Sequence, residues 1–240
     1  GTAEDVKSFT QTAVRGCGGT ASEKNGVVTF DVKETPRAIK EAIREESSFA
    51  ARFQPVVAHD EIYLSRTHPI VEGLATWVMD STLDSGGTTK QLAARCGAIR
   101  TNAVAKRTSL VLVRFRYHIL KTEGDVTTPL LAEDCQLVGF TGTPANAEWL
   151  SIEDSEALLS ATPDENLSDD NARNFLEKAL AEFEHLTEPL NETAEQRGKE
   201  LLATHQQVRK ASAKRGVKYA IQTQTPPDIL GLYIFLPVIG

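Results

Sequence analysis

Cysteine is scarce in this sequence of 240 residues, which contains Cys17, Cys96 and Cys135 and no CxxC pair. An odd number of widely spaced cysteines argues against a disulfide framework or a zinc site, so we expect buried, reduced thiols and a cytoplasmic protein. The sequence also lacks an apolar run of roughly 20 residues, the length that spans a bilayer. Its first residues form neither the basic nor the apolar segment of a secretory signal. We therefore expect no membrane contact.

Motifs of known catalytic and metal-binding sites are absent as well. The five histidines show neither HxxxH nor HxH spacing, so we predict no metal and no cofactor. The run from Gly86 to Lys90 lacks the spacing of a phosphate-binding loop and is interpreted as a linker. The sequence has no GxSxG motif, which would indicate a hydrolase. Two-metal nuclease chemistry would need a lysine after Glu133-Asp134 on the same strand, and none follows. We therefore predict that this chain by itself is not an enzyme.

Methionine occurs once, as Met79, and the sequence begins with Gly1-Thr2. Because a translation product begins with methionine, we expect a domain excised from a longer polypeptide that supplies part of the function. Hydrophobic residues make up 40% and charged residues 25% of the chain. These proportions are ordinary for a globular protein that is long enough to bury a core.

Charges are segregated along the chain, whose net charge is −7. Residues 85–122 contain eight Lys and Arg and no acidic residue, whereas residues 123–171 contain twelve carboxylates and no Lys or Arg. Solubility requires only interspersed charges. The separation therefore predicts a basic surface for a polyanion, or two faces that bind different partners.

The spacing of apolar residues predicts an α+β fold: a small, mostly antiparallel sheet with packed helices and a long charged C-terminal helix or helical hairpin. We expect one compact domain built from four segments. These are an N-terminal helix and strand segment (1–66), a His-Pro helix with the antiparallel sheet (67–167), a long helical region (168–216) and a strand that returns to the sheet (217–240).

Two local patterns carry the second segment. Thr67-His68-Pro69 begins a helix, in which His68 is interpreted as an N-cap or first-turn residue rather than a catalytic one. Apolar residues alternate from Ser109 to Lys121, which predicts a strand. Leu130 to Phe140 would be its antiparallel partner across the turn at Glu123-Gly124-Asp125.

The long helical region is predicted to run from an N-cap at Ser168 to Gly216. Because its apolar seam keeps a period of seven across Pro189, we favour one kinked helix of about 70 Å. A hairpin that turns near Glu188-Pro189 is the alternative. The same seam would also suit pairing with a helix of another protein. The seam comprises Leu176, Leu180, Phe183, Leu190, Ala194, Leu201 and Val208.

A basic ladder lies on one face of the predicted strand, where every second residue points the same way. It consists of Arg114, Arg116 and His118. Such a ladder would contact successive phosphates of a nucleic acid. We expect three further cations near it, namely Arg100, Lys106 and Arg107. The alternative is that Glu133 and Asp134 on the neighbouring strand neutralise the ladder through cross-strand ion pairs.

Two runs of sequence carry a resemblance to a known family. The first is Arg66 to Leu74 (RTHPIVEGL), followed by Arg107 to Tyr117 (RTSLVLVRFRY), and the second is Pro227 to Tyr233 (PDILGLY). Together they resemble the C-terminal region of bacterial Swi/Snf-type helicase-related ATPases, the RapA-like group. The resemblance extends over about residues 53–236.

The resemblance implies a parent chain that hydrolyses ATP and moves on, or remodels complexes on, double-stranded nucleic acid. This chain matches none of the ATPase motifs, so the role that transfers is that of a non-catalytic accessory domain. Its implied partners are the motor core of the same polypeptide, duplex nucleic acid, and RNA polymerase or another protein. A helical interaction module and an unrecognised enzyme, such as a nuclease, are the rival hypotheses.

Overall fold

The computed structural model describes residues 2–55, 60–83, 92–210 and 217–239 of the chain. The predicted linker at Gly86–Lys90 and the predicted helix end at Gly216 lie outside these ranges. The chain divides into two compact units, Gly1–Ala94 and Arg95–Gly240, and each has its own core. The predicted α+β class is confirmed. The division differs from the predicted boundary at residue 66, because the His-Pro helix belongs to the first unit.

The first unit combines helices with a small mixed sheet in the order β1-β2-β3-β4, in which β3 and β4 are parallel and the other pairs antiparallel. His68 caps α3, since its Nδ1 accepts a hydrogen bond from the N–H of Ile70 at 3.2 Å. The N-cap interpretation of His68 therefore holds. The elements are α1 (Ala3–Gly16), β1 (Thr20–Lys24), β2 (Val27–Asp31), α2 (Arg37–Ile43), β3 (Ser48–Arg52), β4 (Ile62–Tyr63) and α3 (Pro69–Leu83).

The second unit is built on one larger sheet in the order β5-β9-β6-β7-β8. The last strand, β9, is parallel to β5 and antiparallel to β6, so this sheet is mixed too and the prediction of a mostly antiparallel sheet needs correction. Its elements are β5 (Cys96–Arg100), β6 (Thr108–Glu123), β7 (Val126–Thr141), β8 (Glu148–Trp149), α4 (Ile152–Ala157), α5 (Asp169–Ala181), α6 (Thr187–Lys210) and β9 (Val217–Leu236).

One face of this sheet, the core face, is covered by helices. Phe115 and Tyr117 of β6 are buried there with Leu190 and Ala194 of α6. The hydroxyl of Tyr117 donates a hydrogen bond to the carbonyl of Ala194 at 3.1 Å. A Cβ at Gly198 would lie 3.0 Å from the Tyr117 ring, so the glycine allows α6 to approach the sheet closely. The apolar positions of α6 thus pack on the domain's own sheet.

The long helical region is interrupted, so the favoured single kinked helix is not observed. A short 3-10 turn at Phe183–Leu186 separates α5 from α6. Pro189 falls in the first turn of α6, where its missing N–H breaks no helical hydrogen bond. The chain therefore begins a new helix just before the proline. Leu180, one of the seam residues, is exposed.

None of the helices in the described part of the chain has both the length and the apolar character needed to cross a membrane.

The contact between α2 and α3 gives a test of the first unit. A Cβ at Gly73 would collide with the carbonyl oxygen of Ala42 in α2. We expect Gly73→Ala to lower the free energy of unfolding by about 2 kcal/mol, because backbone cannot move aside as a side chain does. Denaturation followed by the fluorescence of Trp77, which packs against this core, measures the loss. Exposed Thr76→Ala on the same helix is the control, and equal stability of the two variants would contradict the close contact.

Candidate functional site

The candidate site is the outer face of the larger sheet, defined as the side of β6, β7 and β9 that carries Arg114, Arg116 and His118. Side chains of a strand alternate between its two faces, so these three point away from the core face. Each of the three is partly exposed, whereas Phe115 and Tyr117 between them are fully buried. The structure therefore brings the predicted basic ladder together on one surface.

Asp228 of β9 holds both guanidinium groups of the ladder. Nε and Nη2 of Arg114 donate to Oδ2 of Asp228 at 3.0 and 2.8 Å. Nη2 of Arg116 donates to Oδ1 at 3.2 Å, and its Nε lies 3.1 Å from Oδ2. The hydrogen bonding of Arg114 to Asp228 is the main cause that raises the pKa of Arg114. One carboxylate therefore orients two cations, and we call this set the Asp228 network.

An irregularity in β9 places Asp228 in this position. Arg114 of β6 is opposite Asp228, while Arg116 is opposite Gln224, so β9 uses four residues where β6 uses two. Such a bulge fits the Pro226-Pro227 pair, because proline has no N–H to donate to a ladder. The extra residues allow the Asp228 carboxylate to lie between the two arginines.

The predicted neutralisation by the neighbouring strand occurs only in part. Glu133 lies on the outer face, with its Oε1 4.0 Å from Nη1 of Arg114. Asp134 points to the opposite face, where its Oδ2 accepts a hydrogen bond from Nε of Arg197 at 2.8 Å. Of the two predicted partners, therefore, only Glu133 approaches the ladder, and Asp228 is the principal one.

One signal in the sequence distinguishes Asp228. It is the only acidic residue among the last forty, residues 201–240. It also lies within the segment 217–240, which is predicted to return to the sheet. A lone carboxylate on a strand beside a row of arginines is a natural ion-pair partner, but the strand order had to be known first.

His118 continues the ladder but has a different neighbour. The side-chain amide nitrogen of Gln224 lies 3.3 Å from Nε2 and 3.5 Å from Nδ1 of the imidazole. The histidine is thereby packed beside a neutral polar group. In the described ranges, no cluster of three or more His, Cys, Asp or Glu side chains is arranged to hold a metal ion.

The other three predicted residues do not join this surface. Lys106 is exposed, with its Nζ 3.9 Å from Glu148. Arg107 is half-buried, and desolvation lowers its pKa although Glu182 opposes the shift. Arg107 precedes β6, and seven residues of extended strand place it about 23 Å from Arg114 along the chain. The expectation that these cations lie near the ladder is therefore wrong for Lys106 and Arg107.

Arg100 has a structural role at the same end of the sheet as Arg107. Its Nη1 donates to the carbonyl of Pro237 at 3.0 Å, and its Nε lies 3.8 Å from Glu165. Only 17% of the side chain is exposed. These contacts anchor the end of the chain to β5, so Arg100 is separated from the basic ladder as well.

The outer face combines oriented cations with exposed apolar area. The Arg114 and Arg116 side chains are 36% and 37% exposed. Each guanidinium has five N–H donors, of which Asp228 accepts two from Arg114 and one from Arg116. Exposed Leu131 lies opposite His118, and exposed Cys135 lies directly opposite Arg114. Directly opposed residues of antiparallel strands share a face. Such a surface can receive carboxylate or phosphate oxygens with little loss of side-chain entropy.

The thiols differ in environment, which makes Cys135 a reporter for this face. Burial raises the pKa of Cys17 to about 11, whereas Cys96 and Cys135 are exposed. Because the thiolate is the nucleophile and Cys17 holds its proton at pH 8, we expect iodoacetamide to modify it more slowly than the other two by roughly tenfold or more. Peptide mass spectrometry measures the three rates. Equal rates would contradict the burial of Cys17.

Comparison with known families shows which family the chain belongs to. Residues 83–240, about two thirds of the chain, match the model of a family described as "Domain of unknown function (DUF8741)". The matched range includes the whole second unit and hence the outer face. A search of curated proteins finds no match to the sequence.

Proposed function

We propose that this chain, which belongs to the DUF8741 family, is a non-catalytic accessory domain of a cytoplasmic, helicase-like ATPase. Its proposed role is to dock through the outer face on the motor core of the same polypeptide. The resemblance of Arg66–Leu74 and Arg107–Tyr117 to Swi/Snf-type proteins supports this class of parent. The parent would hydrolyse ATP and move on duplex nucleic acid, while this domain would support the motor.

The Asp228 network is the observation that carries the choice of a protein partner. Arg114 and Arg116 are balanced by Asp228 and by Glu133, so the centre of the outer face has two charges of each sign. A polyanion would meet repulsion from both carboxylates. Arginines fixed beside exposed apolar area, as with Leu131, are typical of protein interfaces. The motor core, or RNA polymerase or another protein, is a better match than phosphate.

Duplex nucleic acid is the second candidate, because more than a third of each arginine side chain is exposed. Phosphate oxygens would accept hydrogen bonds from the N–H groups that Asp228 leaves unused. Binding of this kind weakens as salt rises, since it releases counterions from the nucleic acid. Salt dependence therefore separates the second candidate from docking on a protein.

Alkylation of Cys135 tests the docking proposal. We expect Cys135 to react roughly tenfold more slowly in the complete parent protein than in this chain, because the motor core covers the outer face. The double variant Arg114→Ala, Arg116→Ala in the parent should restore the rate, whereas Arg173→Ala on the exposed side of α5 should not. Equal Cys135 rates in the parent and in this chain would rule out docking through this face.

Fluorescence anisotropy with a short DNA duplex tests the second candidate. We expect the wild type and the Arg114→Ala, Arg116→Ala variant to bind the duplex equally weakly at low salt. A loss of affinity in the double variant, together with tighter binding by Asp228→Asn, would instead assign the face to nucleic acid. The reason is that removing the carboxylate charge leaves both guanidiniums available to phosphates. Arg173→Ala is again the matched control for loss of one surface cation.

A further inference from the structure

The second unit has a long open strand edge at β7. This strand pairs with β6 from Val126 to Thr141, but β8 pairs with its other side only at Phe140 and Thr141. Among the described residues, no strand pairs with the edge of β7 that faces away from β6 between Val126 and Val138. An edge of this length offers a row of backbone donors and acceptors to another chain.

The hydrogen-bond pattern of β7 identifies the backbone groups that point away from β6, into the open edge. The carbonyl of Gly139 points away from β6, because it accepts a hydrogen bond from the N–H of Leu150 at 2.9 Å. The backbone N–H and C=O groups of successive residues in an antiparallel strand point alternately toward one neighbouring strand and away from it. The backbone groups of Leu131, Glu133 and Leu137 therefore also point away from β6, into the open edge. The side chains of these residues lie on the outer face.

Both ends of the open stretch are limited. Pro129 has the same outward phase and has no N–H, so a strand cannot pair fully at that position. At the other end, β8 occupies the edge from Phe140. The stretch available for pairing runs from Leu131 to Leu137 and is about 20 Å long. This length suits a short extended peptide.

We propose that the β7 edge binds an extended segment of another polypeptide as an added strand, with a cation opposite Glu133 and apolar residues opposite Leu131 and Leu137. Backbone hydrogen bonds would provide affinity, and the alternating side chains would provide specificity. The proposal does not rest on the proposed function, because it uses the backbone edge of β7 rather than the guanidiniums of β6.

The chemistry of the occupant follows from the strand itself. Residues 123–171 contain no Lys or Arg, and the Glu133 side chain is 44% exposed, so the edge favours a basic partner. Leu131 is 64% exposed beside it and would be covered by an apolar residue. Two copies of this chain fit less well. Each copy carries a net charge of −7, and antiparallel pairing centred on Glu133 would oppose two carboxylates.

NMR titration of the whole chain with the peptide acetyl-Val-Thr-Thr-Thr-Lys-Thr-Val-amide tests the proposal. We expect shifts at the amides of Leu131, Glu133 and Leu137. In the antiparallel register, the third and fifth residues of the peptide direct their N–H groups toward β7. N-methylation at these two residues should weaken binding by about tenfold, since two backbone hydrogen bonds are lost. N-methylation at the fourth and sixth residues, which point away, should leave the affinity unchanged.

A variant of the protein provides an independent arm. Leu131→Pro removes one outward N–H as Pro129 does naturally, while Leu131 makes no backbone hydrogen bond to β6 in this phase. We expect Leu131→Pro to lower the affinity for the peptide by about tenfold. Leu131→Thr, which keeps the N–H, should lower the affinity much less. Dispersed amide spectra check that both variants are folded.

Three results would overturn the proposal. Absence of shifts at the β7 amides would show that this edge does not take the peptide. Equal affinities of the two N-methylated peptides would reduce the contact to side chains alone. Sedimentation that shows a concentration-dependent dimer, abolished by Leu131→Pro, would assign the edge to a second copy of the chain. These outcomes are measured at the β7 edge of this chain, whereas docking of the outer face is measured by Cys135 in the parent protein. Because Cys135 lies within the β7 stretch, the Arg114→Ala, Arg116→Ala variant of the parent distinguishes outer-face docking from an added strand.

Discussion

The pairing of β6 with a strand on each side is the constraint on which the second unit depends. β6 pairs with β7 from Thr108 to Glu123, and with β9 over the same length apart from irregularities at Leu112/Val113 and at Arg114/Arg116. A strand held on both sides cannot rotate, so its side chains alternate strictly between two faces. Phe115 and Tyr117 are thereby committed to the core beneath α6, and Arg114 and Arg116 to the outer face.

The bulge in β9 places a carboxylate between the two arginines that this alternation directs to the outer face. Without the extra residues at Pro226-Pro227, Asp228 would not lie between both arginines, and Glu133 would be the one carboxylate described near them. With them, the guanidiniums are oriented and their charge is offset. On the other face, Arg197 and Asp134 form a similar pair between α6 and β7. Opposite charges that are distant in sequence thus meet on both sides of one sheet.

Two surfaces of different chemistry arise from the same strands. The outer face presents side chains whose charges balance, which favours contact with a folded protein surface. The β7 edge presents backbone groups, which favour an extended segment, and the side chains of Leu131, Glu133 and Leu137 select the sequence of that segment. A domain that has both surfaces can contact a folded protein surface and an extended segment at the same time.

Local patterns predicted much of the fold. The alternation in β6, the hairpin at Gly124 and the cap at His68 each depend on residues close in sequence, so the sequence was sufficient for them. The class α+β followed from the same periods. The seam of the long helical region was also visible, but its period of seven favoured one kinked helix over a hairpin. Leu190 and Ala194, four residues apart, in fact serve the packing of a single helix, α6, on a sheet.

The amino-acid sequence by itself determined which residues lie on each face of β6, because alternation is a property of a single strand. Only the tertiary structure decided what those residues meet. It inserted β9 between β5 and β6, brought Asp228 to Arg114 across more than a hundred residues, and separated Arg107 from the ladder. Such contacts depend on strand order, and no local pattern specifies which distant strand becomes the neighbour.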